Sequence, residues 1–353
     1  MQRVAVLGLG KVGALAAELL ADAGFTVLAC DRAAPPVPLS MPVTLVDVTD
    51  SAALTDLLAT VDGVLSCLPY HLNADLARIA HRQGCHYFDL TEDVPTTRAI
   101  QALAETGGGV MAPQCGLAPG LVGIVAAAQI AGFDQCRSCR MRVGALPRYP
   151  TGRMGYAFNW SPEGVVNEYL NDCEVIEDGH RKLVSPMEWL ETLYIDGVKL
   201  EAFTTSGGLG TMCDTYLGRV ANLDYKTIRY PGHADLMNFF FHELLMRERR
   251  AEAGAILVHA KPPVTEDIVY VHIASEGVIA GRLSRQEYVR AFRPRTLLGR
   301  QRTAIAWTTA ASAAAVIELV RAGSLPPQGF LRQEDIPLTA WLGTVNGRLF
   351  EAA

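Results

Sequence analysis

The sequence holds no sustained run of lysine or arginine, and its formal net charge is -6 with a pI near 5.8. That removes the electrostatic footprint by which proteins hold nucleic acid or an anionic membrane surface, and leaves small molecules as the expected partners. Internal repeats and low-complexity segments are absent too, which excludes a repeat architecture. Long uninterrupted apolar runs are scarce. Lys11 breaks the apolar stretch that follows Arg3, against a secretory signal. The C-terminal "TAIAWTTAASAAAVIELV" carries Glu318 and several threonines, and falls short of the roughly 20 strongly apolar residues of a membrane span, so a buried helix is expected there. Cysteine is neither dense nor patterned: eight are scattered along the chain, as reduced thiols of a cytoplasmic protein would be. The single C-x-x-C, Cys136 and Cys139, has no second pair. His81 and His86 lie across a helix end and a new strand, so no metal is expected.

What is present begins with order. At 353 residues, half of them hydrophobic, the chain exceeds one typical domain of roughly 100 to 200 residues. "RVAVLG", "TVLACD", "VTLVDV", "GVLSCLP", "CHYFDL" and "GGVMAP" read as six short strands separated by helical stretches. Parallel neighbours need helical crossovers, so the expected class is α/β with a Rossmann-type doubly wound parallel sheet over residues 1–120. Residues 121–300 change texture to α+β, with strand-like "CRMRVGAL", "YKTIRY" and "IVYVHIAS", as for a substrate-binding and dimerisation domain. Residues 301–353 form an apolar helix and a tail expected to return to the first domain.

"GLGKVG" stands between the first strand and the first helix. There Gly8 can make the tight turn, Gly10 can admit a pyrophosphate, and Gly13 can let helix and strand approach closely, with Lys11 and Val12 opening the helix. The free N–H groups at that helix start would face the phosphates. Asp31, at the end of the second strand, suits the ribose hydroxyls and would repel a 2′-phosphate. NAD is therefore expected ahead of NADP, with Arg32 as the residue that could hold such a phosphate. Asp47 and Val48 fall near the adenine side, and Cys67, Leu68 and Pro69 near the nicotinamide.

Ligands of such a sheet bind at the carboxyl ends of its strands, where Asp89 and Cys115 stand. In the second domain, Arg229 offers a planar fork for a substrate carboxylate and Lys226 a weaker alternative. His233 has an intrinsic pKa suited to proton transfer near neutrality. "NWSPEG" reads locally as a helix start with Ser161 as cap and Pro162 in the first turn, leaving Trp160 to wall a pocket. Thr205 and Ser206 present hydroxyls on a glycine-flexed loop.

"QCGLAPGLVG", "DLTED", "NWSPEG", "TTSGGLGT" and "KTIRYPGH", in that company, resemble the saccharopine dehydrogenase-like oxidoreductases, with "TIRYPGH" and "TSGGLGTMCDTY" most like the lysine 6-dehydrogenase branch. The resemblance implies NAD-linked oxidative deamination at an amine carbon of an amino acid, release of ammonia, an aldehyde that cyclises, and a homodimer formed through the second domain. Asp89 and His233 are the candidate proton-transfer groups, with Cys115, Trp160, Thr205, Ser206, Lys226 and Arg229 about the substrate. An opine-type enzyme acting on a secondary amine is the near alternative; its product carries more carboxylates and would call on Arg148 and Arg153. A nucleotide-binding regulator without turnover is the alternative of another class.

Overall fold

The computed structural model describes residues 1–351, which divide into two compact units: 1–124 with 306–351, and Val125–Ile305. In the first unit the strands are β1 (Arg3–Leu7), β2 (Thr26–Asp31), β3 (Val43–Leu45), β4 (Gly63–Ser66), β5 (His86–Asp89) and β6 (Val110–Ala112). All pair in parallel, in the order β6-β5-β4-β1-β2-β3, and a short strand Gly329–Phe330 adds to β6 as a seventh. The order reverses at β1, so the crevice of this doubly wound sheet opens above the loop that leaves β1.

The crossover helices are α1 (Lys11–Asp22), α2 (Ser51–Leu58), α3 (Asn73–Arg82) and α4 (Val94–Ala104). Asp50 caps α2 by accepting from the amides of Ala52 and Ala53, and Asp93 caps α4 by accepting from Thr96 N–H. Each cap stabilises its helix by about 1 kcal/mol. Ala5, Leu7, Val64, Tyr87 and Met111 from the strands pack with Leu54, Leu76 and Ile100 from the helices. The returning C-terminal stretch is tied to this unit by bonds from Arg321 to the Ala23 carbonyl (2.9 Å) and from the Gln333 amide to the Pro113 carbonyl (3.0 Å).

Helix Ala304–Arg321 is long and apolar enough to cross a membrane by length and composition. With 78% of it buried inside the protein, little of its surface is left for lipid. Helix α5 (Leu121–Ala131) is the other continuous apolar helix.

The second unit is a mixed sheet. Its strands are β7 (Gln135–Pro147), β8 (Cys173–Glu177), β9 (His180–Val184), β10 (Glu191–Ile195), β11 (Val198–Thr204), β12 (Asn222–Arg229), β13 (Asp267–Ile279) and β14 (Arg282–Phe292), with a separate hairpin of β15 (Arg295–Leu297) and β16 (Arg300–Arg302). The main path runs β10-β11-β12-β7-β13-β14. Four hairpins turn on a residue pair with positive φ, Asp178-Gly179, Asp196-Gly197, Ala280-Gly281 and Leu298-Gly299, the two-residue geometry that matches the twist of antiparallel strands. Helix α6 (Pro162–Leu170) starts as the sequence predicts: Ser161 Oγ accepts from Gly164 N–H (3.1 Å) and Pro162 takes the first turn. It packs its buried Val165, Val166 and Tyr169 into a core with Phe203, Ile228 and Phe241.

Candidate functional site

Strand register assembles the carboxyl edge of the first sheet. Leu7 pairs with Cys30 on one side and with Ser66 on the other, and Ser66 pairs with Asp89. The residues that follow these partners, Gly8, Asp31, Cys67 and Leu90, therefore stand side by side at its carboxyl ends.

Gly8 has φ of +90° and lies against the Cys67 carbonyl, which a Cβ would meet at 2.8 Å. Gly13 is tighter still: its Cβ would fall 1.9 Å from the Gly8 carbonyl oxygen, so helix and loop touch only because no side chain intervenes. Gly10 differs. It is exposed, it starts α1, and a Cβ there would meet nothing within 4 Å. Open space in front of unpaired N–H groups is what a pyrophosphate requires. Asp31 Oδ2 accepts from Leu9 N–H (2.6 Å) and Oδ1 from Ala33 N–H (3.2 Å), which fixes the carboxylate beside the glycine loop. Arg32, Lys11 and Pro69 are exposed, and Val12 and Leu68 half-buried. Asp47 is exposed and bonded to Thr49 through both the amide and the hydroxyl, which lower its pKa, while Val48 packs on the core of the unit. Burial pushes the Cys67 thiol up to about 12, so it is a neutral thiol.

Asp89 and Cys115 are both fully buried. Asp89 accepts from Tyr87 Oη (2.7 Å), Thr91 N (3.0 Å) and Gln114 N (2.9 Å), tying the ends of β5 and β6 together. Burial pushes its carboxyl up to about 6, against the pull of these donors. Cys115 Sγ donates to the Ala112 carbonyl (3.1 Å) and burial raises its pKa. No surface of the thiol is open to a ligand, which corrects the expectation that it lines the site. A residue not singled out from the sequence follows Asp89 on the same loop. Glu92, half-buried, receives a hydrogen bond from its own backbone N–H alone among the described residues, and burial beside Asp93 and Asp89 pushes it up to about 7.

In the second unit, Arg229, His233 and Trp160 meet around α6. Arg229 is 2% exposed; its Nε donates to Tyr169 Oη (2.7 Å), its Nη1 to the Ile228 carbonyl (2.8 Å), and its guanidinium lies 4.7 Å from the centre of the Tyr156 ring. Burial opposes its charge, but Tyr169, Tyr156 and the buried Glu168 outweigh that and hold its pKa above the ordinary value. His233 is 1% exposed, with Nδ1 3.0 Å from the Met154 carbonyl and Nε2 3.0 Å from Tyr169 Oη. A carbonyl only accepts, so Nδ1 carries the proton and Nε2 accepts from Tyr169. Burial and the neighbouring Arg229 push the ring down to about 3. A neutral imidazole with both nitrogens engaged cannot serve as the free proton acceptor expected of it.

Trp160 donates through Nε1 to Tyr156 Oη (3.2 Å). Ser206 Oγ donates to the Asn167 carbonyl (3.3 Å), and the buried Thr205 hydroxyl has no hydrogen-bond partner among the described residues. Lys226 is committed elsewhere: Nζ donates to the Trp189 carbonyl (2.6 Å) and to Glu191 Oε2 (2.7 Å), in a cluster where Arg142 bridges Glu191 and Asp224. That corrects its reading as a spare carboxylate clamp.

Comparison with known proteins agrees with both units. Residues 4–111 match the saccharopine dehydrogenase NADP binding domain, and residues 116–349 the saccharopine dehydrogenase C-terminal domain. Two relatives, both named saccharopine dehydrogenase [NADP(+), L-glutamate-forming], come from Pyricularia oryzae (29% identical over 202 residues) and Saccharomyces cerevisiae (28% over 204). Each alignment covers 54% of this chain but 45% and 46% of the relatives, so the match spans a little under half their length. The apo saccharopine dehydrogenase (L-Glu forming) of S. cerevisiae shares the fold across 98% of both chains, with a TM-score of 0.75 at 17% identity. An engineered D-amino acid dehydrogenase bound to NADP+ follows at 0.51 and 16%. The first unit is thus a pyridine-nucleotide-binding domain, and with two thirds of its length matched by the C-terminal domain alone, the chain belongs to the saccharopine dehydrogenase family.

Proposed function

We propose that the chain is a nicotinamide-dependent dehydrogenase that oxidises the amine-bearing carbon of an amino acid, with NAD as cofactor and the terminal amine of L-lysine as its target. The observation that carries this reading is the carboxyl edge of the first sheet, where the glycine cradle, Asp31 and Glu92 follow neighbouring strands. Gly8, Gly10 and Gly13 shape the place for the pyrophosphate and Asp31 that for the ribose. When bound, the nicotinamide supplies a two-electron hydride acceptor. Glu92 then takes the proton that the substrate ammonium must lose before its carbon can be oxidised, a task matched to a carboxyl that titrates near neutrality. Asp89 positions the loop that carries Glu92 through its bond to Thr91 N. Water adds at the oxidised carbon and ammonia leaves.

Pairing of the cations singled out from the sequence supports a substrate with few carboxylates. Lys226 is bound to Glu191, Arg229 is enclosed by Tyr169 and Tyr156 beside Glu168, and Arg148 lies 3.6 Å from Glu266. Exposed Arg153 remains. A second reading, an opine-type dehydrogenase using NADP, is favoured by the names of the relatives and by exposed Arg32 next to Asp31. The homodimer belongs to the same proposal and is checked by sedimentation. Turnover with L-lysine and NAD, against saccharopine and NADP, tests the choice: lysine-dependent NADH formation with ammonia release is expected, and oxidation of saccharopine alone would replace this reading with the second.

A further inference from the structure

Eight non-glycine residues among those described have a left-handed backbone. Four belong to the hairpin turns named above, and Gln114 donates its N–H to Asp89 at the cofactor edge. The remaining three, Met187 (φ 58°), Trp189 (φ 52°) and Leu245 (φ 57°), serve no hairpin. They lie in or beside two segments of the second unit, 185–188 and 238–250, that line one cleft of about 750 Å³. The second segment also contains a π-helical turn, Phe239–Glu243. Strained backbone and π-turns persist where the fold over-determines them, and they concentrate at functional sites.

The charges of this cleft differ from those of the chain's paired clusters. Arg181, Arg142 and Arg285 each pair with two carboxylates elsewhere. In the cleft, Arg247 and Arg250 have no carboxylate partner among the described residues. Arg250 Nη1 donates to the side-chain carbonyls of Asn167 (3.1 Å) and Asn171 (2.9 Å), and Arg247 Nη1 lies 3.4 Å from His242 Nδ1. Glu188, Glu248 and Asp172 line the same cleft, and none of the three is ion-paired among the described residues. The volume is within the range of small-molecule sites.

We propose that this cleft binds a free α-amino acid as a zwitterion, its carboxylate on Arg247 and Arg250 and its ammonium on Glu188 with the neighbouring acids. Guanidinium forks suit a carboxylate, and carboxylates without a cation suit an ammonium. The site lies within the second unit and is independent of the reaction read at the cofactor edge. Tyr169 stands behind its wall, fully buried, with its hydroxyl joined to Arg229 and His233.

The test is calorimetry on the full chain without nucleotide, using the twenty common L-amino acids singly, then the N-acetyl and amide forms of the tightest binder. Arg247→Ala and Glu188→Gln change exposed side chains with no ion pair to lose. Saturable binding is expected, weakened about tenfold or more by either modification and by either variant. The proposal is overturned if no amino acid saturates by about 10 mM, or if both variants bind as the unmodified chain does. It also falls if they alter only the sedimentation coefficient, which would make the cleft, with exposed Phe239 and Leu244 nearby, a protein interface. Absence of turnover with lysine would leave this result unaffected, so the two readings fail separately.

Discussion

Replacing Gly10 and Gly13 one at a time by alanine separates the two jobs of the glycine loop. At Gly13 the added Cβ would sit 1.9 Å from the Gly8 carbonyl oxygen, where ordinary contact starts near 3.4 Å, and the clash is with backbone. Helix α1 must then move off β1, an overpacking cost of about 3 kcal/mol, or a fall in melting temperature of roughly 6 °C or more for a unit of this size. At Gly10 the backbone has φ of −66° and ψ of −167°, open to any residue, and the Cβ meets nothing. Alanine there loses only the capping advantage of glycine, about 0.5–1 kcal/mol. On the proposed function it occupies the space where the pyrophosphate approaches, which should weaken NADH binding about tenfold or more, or ~1.4 kcal/mol. Thermal unfolding and NADH fluorescence titration read the two effects. A Gly10→Ala chain that binds NADH as tightly as before, or a Gly13→Ala chain that melts at the original temperature, would refute the reasoning.

Because the His233 ring stays neutral in the fold down to about pH 3 but protonates near 6.5 once unfolded, the unfolded chain binds the extra proton between those values. Stability therefore rises with pH across that window and falls as pH drops below 6.5; about 2 kcal/mol should be lost by pH 5. Urea midpoints at neutral and acid pH should show that loss, and show it reduced in His233→Gln. On the proposed function, Glu92 must be ionised to accept a proton, so kcat/KM should fall about tenfold per unit below an apparent pKa between about 6 and 7. Glu92→Gln should abolish that limb and most of the rate; a Glu92→Gln enzyme with an unchanged pH profile would move the role elsewhere. Asp31→Asn keeps an acceptor for Leu9 N–H while removing the charge, so the NAD-to-NADP affinity ratio should shift toward NADP by about tenfold. Titration with both reduced cofactors reads the shift, and an unchanged ratio would remove Asp31 from cofactor choice.

The first unit was legible because each of its signals is local. Apolar runs alternate with helical stretches, and Gly8, Gly10, Gly13 and Asp31 are a few residues from the strands that hold them. The returning strand at Gly329–Phe330 was not, since two residues carry no period and only pairing with β6 makes them a strand. In the second unit, hairpin pairs such as Asp178-Gly179 and Asp196-Gly197 lay open in the sequence, yet β8 to β11 went unread among irregular stretches. Side-chain roles failed for a different reason. Whether Arg229 is open to substrate depends on Tyr169, sixty positions earlier on α6, and whether Lys226 is free depends on Glu191. The contrast between Asp89 and Glu92, three residues apart, depends on where Tyr87 and Gln114 point their donors.

The account turns on dehydrogenation of an amine by the purified chain. Nicotinamide absorbance should be followed in time with NAD or NADP and a panel of L-lysine, L-ornithine, saccharopine and polyamines, with ammonia assayed alongside. NADH appearing with L-lysine, with ammonia released in equal amount, is the predicted result. Tight binding of NADH with no oxidation of any member of the panel would contradict it, and would leave the first unit a nucleotide sensor rather than half of an enzyme.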